Sequence, residues 1–553
     1  PREFGGLVLD WQDRAAASSY DVQFSDDRKQ WRTVRSVRDS DGGRDWLDLP
    51  ESETRHLRLA LHAGPGDRYC LKHLQIKDLA WGATPNAFIL ALAKDAPRGN
   101  YPRGFVEQPY WTVVGIDGGP TPALLSEDGA LQPGKNSFSI EPFLRVDGRL
   151  ITWADAQPIQ TLRDGYLPIP SVEWRSGNIQ LRVTAFATGT RERSQVVVLY
   201  TLRNDGDTAQ AVDLALAIRP FQVNPPAQFL NTAGGVAPIH DLALDGSNVL
   251  VDGKASVVAL SKPERFIATT FDAGSIVDRL RDFKSLPPQA READQAVHDS
   301  RGYASGALIY HFDLPARGSS EIALIAPLTG APQIPDVAQS GSGWVEQQLQ
   351  ATATGWHQRL DRMTLKLPAS AQRIADTVRT ALAHILITRD GPALRPGTRS
   401  YARSWIRDGA MIADGLLRLG DSDAVREYVD WYAPHQFANG KVPCCVDHRG
   451  SDPVPENDSH GELIHLIAQL YRYGGDRAEL ERNWPHVAAA IGYMDSLRRS
   501  ERSDANSGER QANFGLMPAS ISHEGYSAKP MHSYWDDFWA LTGYKDAVDM
   551  ARV

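Results

Sequence analysis

Four stretches in the second half of the chain carry side chains that could do chemistry. They are Ser400-Tyr-Ala-Arg-Ser-Trp-Ile-Arg-Asp-Gly409, Val454-Pro-Glu-Asn-Asp-Ser-His-Gly-Glu462, Gly515-Leu-Met-Pro-Ala-Ser-Ile-Ser-His-Glu-Gly-Tyr526 and His532-Ser-Tyr-Trp-Asp-Asp-Phe-Trp539. Each is too polar and aromatic for an ordinary connection, and each sits at or runs into the start of a helical pattern. An arginine beside an aspartate, as in Arg407-Asp408, can bridge vicinal hydroxyls, and Trp405 offers a flat apolar face. Asp458 and Glu462 lie one helical turn apart and could share a face. Glu524 lies among His523, Tyr526 and Met531, ahead of Trp535. Apolar walls of that kind raise a carboxyl toward neutrality, where it can donate a proton. Asp536 and Asp537 are rival carboxylates, of which one faces inward. His532 and Ser533-Tyr534 could hydrogen-bond a ligand or simply hold structure.

Plainer readings exist for each: helix capping for Asp408 and Asp458, an Arg–Asp salt bridge at a helix start, a solvated loop glutamate at Glu524. Convergence of all four stretches on one end of a helical domain argues for a site. The periodicity predicts that domain. After Trp344 apolar residues recur at i, i+3, i+4 and i+7, as at Ile374, Val378, Leu382 and Ile385. Helical stretches are predicted over Val345–Leu365, Ala369–Leu386, Asp408–Leu419, Asp423–Tyr432, Ser459–Tyr473, Glu479–Leu497 and His532–Met550. Short loops (420–422, 474–476) alternate with long ones (433–458, 498–530), so hairpins should gather their long loops at one end.

The first half reads with period 2. Residues 1–80 carry short alternating runs such as Tyr20-Asp-Val-Gln-Phe24 and His56-Leu-Arg-Leu-Ala-Leu61, expected to form a β-sandwich. Residues 81–335 are again strand-rich, clearest at Ile179–Phe186, Gln195–Leu202 and Val212–Ile218, and predict a large antiparallel sandwich without long helices. Asn204-Asp-Gly206 between the last two strands is expected to turn a hairpin, because Asp-Gly readily supplies positive φ. A Gly/Ser/Pro-rich separator runs over 315–335 and 340–343, a linker helix is placed within 336–368, and the helical domain fills 369–553.

Composition excludes several classes. At 553 residues the chain is long enough for about three or four domains. A net charge of −9 offers no basic surface for nucleic acid, and no apolar run approaches the roughly 18 residues of a membrane helix. Cys70, Cys444 and Cys445 make neither a disulfide framework nor a zinc spacing, and the adjacent pair reads as buried thiols. No metal or other cofactor is expected, and no Gly-rich phosphate loop, HExxH or Gly-x-Ser-x-Gly occurs. Starting at Pro1 and ending inside a helical pattern, the chain reads as a piece of a longer protein.

Two resemblances follow from these residues. Residues 20–31, 55–61 and 69–79 (YDVQFSDDRKQW, RHLRLAL, YCLKHLQIKDL) resemble the second half of a discoidin, or coagulation-factor type C, carbohydrate-binding-like sandwich. The order W-x-R-D-G, N-D-S-x-G-E, then H-E-G-Y before a Trp-rich helix resembles the six-hairpin glycosidases. Those are (α/α)6 barrels behind a β-sandwich and linker helix, as in glucoamylase-like (family 15-like) enzymes. The resemblance implies an inverting glycoside hydrolase acting on an α-glucosidic or related glycan. It implies Glu524 as general acid and Trp405, Arg407, Asp408, Asp458, Glu462, His523, Tyr526 and Trp535 as sugar contacts, with Asp536 and Asp537 as rival catalytic carboxylates. His523 stands where the family usually has Trp, and the family's second carboxylate would lie beyond Val553. The toroid is therefore expected to be incomplete and this chain alone catalytically silent. A phosphorolytic enzyme of the same architecture and a non-catalytic carbohydrate-binding protein are the alternatives. The implied partner is an oligo- or polysaccharide, with the parent protein periplasmic or secreted.

Overall fold

The computed structural model describes residues 2–51, 53–66, 68–227, 233–282, 295–334, 341–506, 508–522 and 529–553. The chain divides into two compact units, Pro1–Val114 with Ala123–Arg163 and Ile169–Thr352, and Gly115–Pro122 with Asp164–Pro168 and Ala353–Val553.

The first unit begins with two antiparallel three-stranded sheets. One is ordered Arg44–Asp48, Gly6–Trp11, Leu71–Lys77 and the other Arg32–Val37, Ser19–Ser25, His56–Ala63. The alternation works as read: Tyr20, Val22 and Phe24 are buried while Asp21 and Gln23 are only partly covered. Trp11 Nε1 and the Tyr20 hydroxyl both donate to Asp45 Oδ2, at 2.8 and 2.6 Å, so the buried carboxylate is satisfied.

Next come α1 (Leu79–Gly82) and α2 (Pro85–Asp95). The strand-rich expectation from residue 81 fails here, and the reason is local. Thr84 accepts from the Ala87 amide, Pro85 takes the first turn, and Phe88, Ile89, Leu92 and Ala93 bury one face. Beyond α2 lie two large antiparallel sheets of eight and nine strands. Asn204-Asp-Gly206 is not a hairpin turn. Ser194–Asn204 runs in the nine-stranded sheet and Gln210–Arg219 in the eight-stranded one, so the segment crosses between sheets. The Asn204 side chain does the turning: its Oδ1 accepts from the Gly206 amide at 2.9 Å and its Nδ2 donates to the Thr208 carbonyl at 2.8 Å. Part of the supposed separator is likewise a strand, Ser319–Thr329, paired along Ser194–Asn204. A short helix, α3 (Ile276–Arg281), buries Ile276, Val277 and Leu280. The helix α4 (Gly341–Leu360) belongs to the first unit up to Thr352 and to the second from Ala353.

The second unit continues with α5 (Gln372–Thr388), α6 (Ile406–Arg418), α7 (Ser422–Tyr432), α8 (Ser459–Gly474), α9 (Arg477–Ser500) and α10 (Tyr534–Ala551). In α5 the buried stripe is Ala375, Leu382 and Leu386, rotated from the expected one, and Ile374 is 63% exposed. The helix α8 is the hub, packed against α6, α7, α9 and α10. A helix wrapped by neighbours is apolar nearly all round, and Leu463, Ile464, Leu466, Ile467, Ala468 and Leu470 are all buried. Gly461 brings α10 close: a Cβ there would land on the Trp539 carbonyl oxygen. Gly409 does the same for α6, where a Cβ would strike the Tyr428 hydroxyl on α7. These approaches fix where the helix starts lie.

Candidate active site

The starts of α6, α8 and α10 are tied together by polar side chains. Ser404–Trp405 pairs antiparallel with Cys445–Asp447, and the Ile406 amide donates to the Cys444 carbonyl at 3.0 Å as the chain turns into α6. This places Arg407 in the first turn. Its Nε donates to Asp458 Oδ2 at 2.8 Å and its Nη2 to Glu456 Oε2 at 2.9 Å, with a further contact to the Ser522 carbonyl. From α10, Trp535 Nε1 donates to the same Asp458 Oδ2 at 2.8 Å. Asp458 occupies the cap position of α8 but caps nothing through its side chain, so the capping reading gives way to a link between three helices.

A second layer lies beside this link. The Ile521 amide donates to the Pro455 carbonyl at 3.0 Å and the Asn457 amide to the Ser522 hydroxyl at 2.8 Å, laying 520–522 along 455–457. Ser520 then donates to Asp536 Oδ2 at 2.6 Å, while Asp536 Oδ1 is buried without a partner among the described residues. Asp537 points elsewhere and accepts from the Met517 amide at 2.9 Å.

Burial dominates the electrostatics. It pushes Glu456 up to about 7; Arg407 opposes this, and the charges of Asp458 and Asp536 add to it. It pushes Asp536 up to about 6 against the hydrogen bonds from Ser520 and Ser522. Glu462 is wholly buried one turn into α8, with neither carboxyl oxygen hydrogen-bonded among the described residues, and burial followed by the Asp458 charge lifts it well above the ordinary range. Burial works against the charge on Arg407, but Asp458 and Glu456 outweigh it. The arrangement therefore keeps a cation at its mouth, with protonatable carboxyls behind and beside it.

Of the residues singled out from sequence, Arg407, Asp458 and Trp535 meet directly, and Asp536 joins them through Ser520 and Ser522. Asp408 follows in the first turn of α6, half-buried. Trp405 is half-buried beside Tyr401, ring centroids 5.8 Å apart, with the Arg403 guanidinium 5.8 Å from its ring. Glu462 has no access to solvent. Glu524, His523 and Tyr526 lie outside the described residues. Sequence reasoning missed Glu456, two residues ahead of Asp458; attention to helix spacing overlooks a carboxylate in the extended lead-in. Cys444 and Cys445 are buried with their sulfurs in contact, as expected, and with Asp452 form a potential ligand cluster. Asp452, however, is engaged by Arg403 at 2.7 Å and by the Val454 amide.

No family model and no curated protein matches the sequence. Solved structures do resemble this chain. A bacterial glucoamylase complexed with acarbose is 12% identical, aligned over 80% of this chain and 68% of its own, at a TM-score of 0.49. A family GH92 alpha-mannosidase from Bacteroides thetaiotaomicron is 10% identical, over 71% of this chain and 64% of its own, at 0.31. An alpha-L-rhamnosidase from Dictyoglumus thermophilum is 9% identical, over 98% of this chain and 66% of its own, at 0.26. This chain thus spans about two thirds of the length of glycoside hydrolases to which it is similar in structure.

Proposed function

We propose that this chain is the substrate-holding and proton-donating part of a glycoside hydrolase acting on an α-glucosidic or related glycan. The observation that carries the reading is the link of Arg407, Asp458 and Trp535 across three helix starts, with Glu456 and Asp536 beside it. A guanidinium locked between two carboxylates presents fixed donors to vicinal sugar hydroxyls, and Trp535, 37% exposed, gives a pyranose an apolar face. Glycoside cleavage then needs a carboxylic acid to protonate the leaving oxygen and a second carboxylate to activate water on the opposite face, which inverts the anomeric centre. Glu524 is the donor in this reading. The helices α6 to α10 form part of an (α/α)6 toroid, and the exposed stripe of Tyr534, Phe538 and Leu541 on α10 is where a further helix would pack. The N-terminal sandwich is a carbohydrate-binding-like module.

Glu524→Gln in the natural protein that contains these residues tests the assignment. It keeps shape and removes the proton, so hydrolysis of a natural glycan should fall about 10²–10⁴-fold, and hydrolysis of aryl glycosides with good leaving groups should fall less. A second reading rests on Glu456, whose carboxyl holds a proton to about 7 at the edge of the same network. An unchanged rate in Glu524→Gln with a lost rate in Glu456→Gln would move the donor there.

A further inference from the structure

The first unit holds a cavity of about 290 Å³ that plays no part in the helix-end site. The Asp41–Trp46 segment of the N-terminal sandwich, the end of α2, the strand end at Arg219–Phe221 and the turn before α3 enclose it. That volume is near the lower limit of small-ligand pockets, roughly 300 Å³, and has room for one monosaccharide.

Its inner wall carries Arg219, 3% exposed. Nη1 donates to Glu141 at 2.9 Å and Nη2 to the Asn100 carbonyl at 2.6 Å, while Nε has no partner among the described residues. The guanidinium lies 4.7 Å from the Phe221 ring centroid and 5.8 Å from that of Tyr101. No hydrogen bond is made by the Tyr101 hydroxyl among the described residues, and Trp46 lines the cavity half-buried. The mouth has the opposite character. Asp41 and Asp95 are exposed there, and a Cβ at Gly274, where φ is +98°, would run into the Asp41 carboxylate.

We propose that this cavity binds a single sugar ring that carries no negative charge. An anion would meet Asp41 and Asp95 at the mouth and Asp45, Asp272 and Asp278 along the walls, where Arg219 and Arg44 are already paired with Glu141 and Asp10. A polyol ring suits this lining: its hydroxyls donate to Asp41 and Asp95, and its C–H face lies on Trp46. None of this rests on the reading of the helix end.

The test is ligand-detected NMR and calorimetry on the intact chain with D-glucose, D-mannose, D-galactose and L-rhamnose, alongside D-glucosamine and D-glucuronate. At least one neutral sugar should bind. Trp46→Ala should weaken it about tenfold and Tyr101→Phe about threefold. The Tyr101 variant removes one oxygen only, so it remains informative should the tryptophan variant misfold. The proposal fails if no neutral sugar binds, if glucuronate binds as tightly as glucose, or if both cavity variants bind as well as the parent. Binding that falls in Arg407→Lys and in neither cavity variant would overturn it too, by placing the sugar at the helix end.

Discussion

The helix-end site and the β-unit cavity are built from the same residue types in opposite order. At the helix end the arginine stands at the mouth and the acids lie within: Arg407 is partly open to water, while Asp458, Glu462 and Asp536 are fully buried. In the cavity Arg219 lies within, already paired with Glu141, and two unburied acids stand at the mouth, Asp41 and Asp95. Position decides protonation, because burial penalises the charged carboxylate. Glu456 holds its proton to about 7 and so can give one up near neutrality, whereas Asp536, at about 6, is mostly ionised there. Asp41, pushed to about 6 by partial loss of water and by Asp45 and Asp278, is ionised at neutral pH and can only accept. One arrangement suits proton transfer, the other recognition.

The largest effect that would break this contrast is loss of the cation at the helix end. Arg407→Ala leaves Asp458 buried and unpaired on that side, which should cost the helical unit about 3 kcal/mol, read in denaturant unfolding. A loss below about 1 kcal/mol would mean that Asp458 is not dependent on the arginine. Gly461→Ala comes next. The added Cβ meets the Trp539 carbonyl and must push α10 away, for about 1–3 kcal/mol, whereas Gly415→Ala in α6 meets nothing within 4 Å and should stabilise by about 0.5–1 kcal/mol. Equal effects would show that the helix starts are not set by close approach at Gly461.

A smaller effect follows pH. Asp536 binds its proton more tightly folded, at about 6, than in the unfolded chain, near 3.8. Its stabilising contribution is therefore complete below about pH 4 and is lost as pH rises through about 6. Asp536→Asn should gain on the parent by about 1–2 kcal/mol between pH 4 and 7, and a flat difference across that window would place the proton elsewhere. The smallest effect belongs to the cavity. Tyr101→Phe should leave unfolding stability within about 0.5 kcal/mol, since the hydroxyl is paired with nothing among the described residues. A clear loss would give that hydroxyl a structural partner.

Much of this was legible in the sequence. Alternation over 20–24 and 56–61 and the 3.6 period after Trp344 are direct consequences of one-sided burial, and the helices appear within a few residues of where the pattern puts them. Misreadings came where local chemistry overrode the pattern. Thr84-Pro85 starts a helix in a strand-rich region, and the Asn204 side chain turns the backbone between two sheets where an Asp-Gly hairpin was expected. In the site, Arg407, Asp458 and Trp535 could be found because charged and aromatic residues before an apolar run stand out. Glu456 could not, since its role depends on Arg407 folding over from another helix. Nor could the cavity, whose walls come from segments more than two hundred residues apart in sequence, Trp46 and Phe271 among them.

The central claim is that the helix end cleaves glycosidic bonds with a carboxyl that keeps its proton near neutrality. Rates of hydrolysis of an α-glucan panel should be recorded from pH 4 to 9 for the natural protein and for its Glu524→Gln and Glu456→Gln variants. The account predicts hydrolysis that falls as pH rises past about 7, and a loss of about 10²–10⁴-fold in one of the two variants. Hydrolysis that both variants retain in full would contradict it.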